Sequence, residues 1–137
     1  MELPPEEQFL NAESTLKGRE FDWFARDDAG GIALFATAGS GPVPAQVLEA
    51  VERHDDVNDR IPVIGWGSPA VWRSYAQVGL HAYDWNDQAR HYMRVATPDG
   101  PLPPDLSARL AALALPRLTG AFGDRAVLDV TDLVDTR

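Results

Sequence analysis

Cysteine is missing from this sequence altogether, which excludes disulfides and thiolate metal sites. Lysine is almost missing: Lys17 stands alone beside 11 arginines, far from any loop that would cradle a phosphate. No apolar run approaches the ~20 residues that span a bilayer. The opening stretch, "MELPPEEQFL", has no apolar segment of the secretory kind, so the expectation is a cytoplasmic protein. Positive charge is scarce as well. Lys and Arg total 12 against 21 Asp and Glu, a net charge of −9. Such a surface repels nucleic-acid phosphates and anionic lipid, so neither nucleic acid nor membrane is an expected partner. The acidity either serves solubility or suits a basic protein partner.

What is present suits one globular domain over 1–137. Of the 137 residues 45% are apolar, enough to bury a core, and the charged residues are interspersed among them. Residues 1–19 are polar and expected to be loosely ordered, with a short helix around Glu6–Leu16 as one option. "EFDWFARDDAGGIALFAT" reads as a β-hairpin. Phe21, Trp23 and Ala25 share one strand face, and Ile32, Leu34 and Ala36 share a face of the partner strand. "DDAGG" supplies the turn.

A helix is expected over Pro44–His54, with Val47, Leu48 and Val51 inward and Glu49, Glu52 and Arg53 outward. "HDDVNDR" reads as a polar break and "IPVIGW" as a short buried strand. Ser68 and Pro69 start a second helix with a Val71, Trp72, Tyr75, Val78 stripe, and Gly79 ends it. "LHAYDW" and "RHYMRVAT", joined by "NDQA", read as a second hairpin. A third helix is expected over Asp105–Leu115, and residues 124–137 as an acidic tail or last strand. The expected fold is α+β: an antiparallel sheet built from two β-hairpins, with about three helices packed mainly on one face. The hairpins echo each other, since "FDWF" and "YDWN" both place aromatic–Asp–Trp in a strand.

Motifs for chemistry are few. "ATAGSGPVP" has the glycines of a phosphate loop, but Pro42 and Pro44 remove backbone donors and no lysine follows, so it reads as a strand-to-helix turn. His54, Asp55, Asp56 and Asp59 are close in sequence but lack the Gly and Glu of a calcium loop. His81 and His91 are candidate cross-strand neighbours, yet alternation points His81 and Asp84 to opposite faces. No metal and no cofactor is expected. Asp22 and Asp84, each beside a tryptophan, are candidate half-buried carboxylates, and with His81 or His91 they define an alternative ligand or catalytic pocket. The plainer reading puts both on a solvated sheet face. Trp23 and Trp72 are expected in the core; Trp66 and Trp85, near turns, are candidates for a binding surface. Glu49, Glu52, Asp55, Asp56 and Asp59 form an acidic cluster suited to steering a basic protein, or an ordinary solvated face.

Two blocks carry a family likeness. The first holds Asp22, Trp23, Phe24, Asp27, Gly30, Ile32, Phe35, Gly39, Gly41 and Pro44. The second holds Gly79, Tyr83, Asp84, Tyr92, Arg94 and Pro98. Over residues 20–104 the chain resembles small acidic bacterial proteins of polymorphic-toxin systems that are regarded as candidate immunity proteins. The resemblance implies a non-catalytic domain that neutralises a toxin by covering it, and it carries over no active site. Together with the charge, it makes a protein-binding domain with a basic partner the leading expectation. A small enzyme or ligand-binding protein with a carboxylate and histidine pocket is the first alternative. A structural or regulatory subunit is the second. The oligomeric state is not legible.

Overall fold

The computed structural model describes residues 19–137, so the expected helix around Glu6–Leu16 lies outside it. β1 (Asp22–Asp27) and β2 (Ile32–Ala36) form the first antiparallel hairpin. Then come α1 (Ala45–Leu48), α2 (Val51–Asn58) and α3 (Ala70–Gln77). β3 (His81–Asn86) and β4 (His91–Ala96) form the second hairpin, and α4 (Pro104–Ala111) follows. The chain ends through three two-residue strands, β5 (Arg117–Leu118), β6 (Val127–Leu128) and β7 (Leu133–Val134), with 3-10 turns at Phe122–Asp124 and Val130–Asp132.

These strands make one seven-stranded sheet in the order β6-β4-β3-β2-β1-β5-β7, curled into a half-barrel. That corrects the expected antiparallel sheet of two hairpins with about three helices. β2 and β3 are parallel neighbours, β1 and β5 are parallel, and four α-helices occur among the described residues. Alternation reports which face a side chain takes but not the direction of the neighbouring strand. Direction is set by the connection, and the passage through α1, α2 and α3 returns the chain to run parallel to β2. The terminal strands are too short for any alternation to announce them.

Both sheet faces are buried. The register row Trp23–Phe35–Tyr83 runs across β1, β2 and β3 on one face. Its rings stack, with centroids 4.2 and 5.0 Å apart and planes within 10°. Val43, Val47, Tyr92, Phe122 and Leu128 close over it. The next row, Phe24–Leu34–Ala82, faces the other way and packs against Val57, Val71, Tyr75, Leu106 and Leu110 of α2, α3 and α4. Helices α2, α3 and α4 therefore cover one face, and α1 with the rest of the 41–48 segment and the C-terminal segment cover the other. The residues 124–137, read as tail or strand, contribute β6 beside β4 and β7 beside β5.

Local signals placed some boundaries well and others badly. α3 ends as expected at Gly79, whose φ is +90°. Leu80 N–H donates to Tyr75 O and Gly79 N–H to Ala76 O, the paired bonds of a glycine-terminated helix. The helix expected over Pro44–His54 is instead two, with Glu49 and Ala50 between them, and the "polar break" is mostly α2. His54 and Val57, three apart, are its buried positions, so polar residues on its other sides mark a solvent face rather than a loop. "IPVIGW" forms no strand, and Ile64 and Trp66 are exposed.

In "ATAGSGPVP", Ser40 and Gly41 N–H groups both turn back onto Thr37 O, at 3.1 and 2.8 Å. Those donors are occupied within the turn. Gly41 is there for closeness: a Cβ would stand 2.6 Å from Tyr92 Oη and 3.0 Å from Trp85.

Candidate functional site

Period-two alternation that sends Phe21 and Trp23 to one face sends Asp22 to the other. The same holds for Tyr83, Asp84 and Trp85. Register then aligns Asp22 with Ala36 and Ala36 with Asp84. The two aromatic–Asp–Trp echoes thus present their carboxylates in one row, two strand spacings or about 9–10 Å apart at Cα. Ala36 between them is small and leaves the floor open. α2 brings Asp55 and Asn58 to this floor, and α3 brings Val71, Trp72 and Tyr75. The turn before α3 adds Trp66, Gly67, Ser68 and Pro69, and Glu20 and Ala38 complete a cleft of about 530 Å³. That volume lies within the range of small-molecule sites.

The cleft is rich in acceptors. Asp22 is pushed up to about 6 by burial, reinforced by the charges of Glu20 and Asp55, while hydrogen bonds from Asn58 and Tyr75 pull the other way. The Tyr75 hydroxyl donates to Asp22 Oδ2 across a long 3.5 Å. Burial also raises the Asp84 carboxyl and the Tyr75 phenol. Asn58 Oδ1 is buried with no hydrogen-bond partner among the described residues. Among the described residues the one ion pair at the cleft is Arg19 with Asp55, at 2.6 Å. No described arginine pairs with Glu20, Asp22 or Asp84.

The remaining candidates are scattered. Glu52 and Asp56 lie on α2 and Asp59 caps it, all three exposed, so the cluster lies along a helix and not in a loop. Glu49 pairs with Arg137. Trp66 stands 65% exposed at the cleft mouth, but Trp85 is buried on the opposite face, its Nε1 donating to Asp87 Oδ1 at 3.1 Å. His81 packs against Phe122 on that same opposite face, and His91 contacts Asp129 at 2.6 Å. They are not neighbours: His91 pairs with Asn86, and His81 lies at the other end of the hairpin. The cleft therefore unites Asp22 and Asp84 and brings no histidine to them. Among the described residues no three His, Asp or Glu side chains are grouped closely enough to hold a metal ion. Glu20, Asn58 and Tyr75 were not legible as site residues. Trp72, expected in the core, is only partly buried and walls the cleft.

His54, on α2, is the buried histidine. Its Nδ1 accepts the Phe24 N–H at 3.1 Å, which places the neutral ring's proton on Nε2. Burial lowers it to about 4. Its folded value lies below the unfolded one, so its contribution is present at neutral pH and drains away as pH falls from about 6.5 toward 4. Asp22 runs the opposite way: its folded value is above the unfolded one, so acidification from about 6 toward 4 stabilises the fold. The two trends offset each other. Asp22→Asn is expected to gain about 1–2 kcal/mol at pH 7, after discount for partial exposure. Below pH 6.5 it should lose stability more steeply than the parent. Urea titrations at pH 7 and 4.5 test this, and parallel pH profiles would contradict the burial of Asp22.

Fold and site together define a mixed α/β protein with an acidic, aromatic-walled cleft. No protein-family model, curated protein or solved structure matches the chain. No helix of the described residues is long and apolar enough to cross a membrane.

Proposed function

We propose that this chain is a non-catalytic binding domain for a basic protein. The observation that carries the reading is the convergence of Glu20, Asp22, Asp55 and Asp84 on one cleft where Arg19 is the paired cation. Beside that cleft, Glu52, Asp56 and Asp59 extend the same negative field along α2 at helical spacing. Asp22 and Asp84 are partly desolvated with no described arginine beside them, which costs the fold stability, and a cationic partner offsets that cost on binding. Neutralisation of a toxin domain is the particular form suggested by the sequence resemblance.

The test is titration against the product of the neighbouring gene by calorimetry and stopped flow. Binding should weaken as salt rises. Glu52→Gln, Asp56→Asn and Asp59→Asn combined should slow association about tenfold at low salt and leave dissociation nearly unchanged. Absence of binding at low salt would overturn this assignment of partner. A second reading, a small-ligand protein, is favoured by the volume of the cleft, about 530 Å³. The missing histidine removes the carboxylate–histidine chemistry that its catalytic version needed.

A further inference from the structure

We propose that the cleft between Asp22, Asp84, Trp66 and Trp72 is a receptor site for a single organic cation, a guanidinium or alkylammonium group. This deepens the reading of the chain as a binder of basic partners and rests on it. Three features of the site point to the same ligand chemistry.

The first is the imbalance of donors and acceptors. Four carboxylates line the cavity, and among the described residues only Asp55 has a cationic partner, Arg19. Carboxylates drawn out of water without a cation beside them cost stability, and an occupant bearing several N–H groups supplies both charge and donors to Asp22 and Asp84. The second is the wall. Trp66 is 65% exposed on a turn whose flanking residues, Gly65 and Gly67, have φ of +74° and +78°. It faces the same cavity as Trp72 and Tyr75. An indole face beside carboxylates attracts a cation through its quadrupole, most strongly for weakly hydrated cations such as guanidinium. The third is size. The carboxylates are spread around about 530 Å³ instead of converging on a point, and among the described residues no three acidic groups come close enough to hold a metal ion. That spacing suits a planar or alkylated cation with a carbon stem.

Titration of Asp22 would then gate the site. The groups facing it are Glu20 beside β1, Asp55 and Asn58 on α2, Tyr75 on α3 and Asp84 on β3, with Arg19 bound to Asp55. A protonated Asp22 offers less to a cation, so affinity should rise with pH through about 6.

The experiment is a titration of the full chain, labelled at the indole nitrogens, with free butylguanidine and with an arginine in an otherwise neutral acetyl-Gly-Arg-Gly amide. Trp66 and Trp72 indole resonances should shift and saturate, while Trp23 and Trp85, on the opposite face, should not. Asp22→Asn with Asp84→Asn should weaken binding at least about tenfold and flatten its pH dependence. Asp99→Asn with Asp124→Asn, an equal change of charge on exposed positions away from the cleft, should change it less than about twofold. Tighter binding of the peptide assigns the cation to a protein side chain, and tighter binding of butylguanidine assigns it to a small molecule. Either supports the site. No saturable shift with either probe overturns it, as does equal binding of the neutral citrulline peptide. Binding of the probes without binding of the basic protein would overturn the reading of partner and leave the site standing.

Discussion

Trp23→Ala is expected to destabilise the fold by about 3–5 kcal/mol, as large-to-small changes at fully buried aromatics do. Trp23 is 0% exposed. Its ring stacks on Phe35 at 4.2 Å and meets Tyr92 edge-on at 5.8 Å. Its Nε1 donates to Tyr92 Oη at 3.3 Å, and Tyr92 in turn donates to Pro42 O at 2.8 Å. Truncation removes a stacked ring, opens a cavity between β1 and the 41–48 segment, and leaves Tyr92 one bond short. Trp72→Ala should cost only about 1–2 kcal/mol, because Trp72 is partly exposed at the cleft and loses less apolar burial. Urea unfolding followed by circular dichroism compares the two, and equal losses would contradict the placement of the core.

Asp27→Ala is the second large effect, about 3 kcal/mol, since bonds to a carboxylate are among the stronger ones and unmade buried donors are costly. Asp27 is 4% exposed at the end of β1. Its Oδ1 accepts the N–H groups of Ala29 at 3.0 Å and Gly31 at 2.6 Å. Its Oδ2 accepts the Phe122 N–H at 2.8 Å. One side chain therefore shapes the first hairpin turn and pins the segment that carries Phe122 over the aromatic face. A Cβ at position 31 would stand 2.8 Å from Asp27 Oδ2, so Gly31 leaves room for this arrangement. Asp27→Asn keeps one acceptor and should recover part of the loss. Hydrogen exchange should show faster opening of residues 120–128 in the alanine variant before global unfolding. Unchanged protection there would remove Asp27 from that role.

The sheet's aromatic face was half legible. Phe21, Trp23 and Ala25 do share it, as alternation requires. On the partner strand Ile32, Leu34 and Ala36 also share a face, the opposite one, and Ala33 and Phe35 are the residues that join Trp23. Both sets are packed, because α2, α3 and α4 cover one face and the 41–48 and C-terminal segments the other. A strand buried on both sides has no polar side for alternation to detect. Trp85 misled for a related reason: proximity to a turn suggested a surface position, but its ring packs edge-on to Tyr92 at 5.1 Å under the 41–48 segment. Asp22 and Asp84 are partly buried, where the plainer reading of the sequence put both on a solvated sheet face, and nothing in their sequence spacing joined them. Glu20, Asn58, Trp72 and Tyr75 join them through packing alone.

The sequence by itself determined the hairpin pairs, the C-terminal stop of α3 at Gly79, the acidity, and which side chains share a strand face. These follow from local backbone preference and period. Tertiary structure alone decided the parallel β2–β3 junction, because strand direction depends on a connection of more than forty residues. It also decided the fate of the C-terminal segment, whose two-residue strands exist only because β4 and β5 offer them open edges. The acidic cleft belongs to the same category. Its two central carboxylates are 62 positions apart and meet only because the register passes through Ala36.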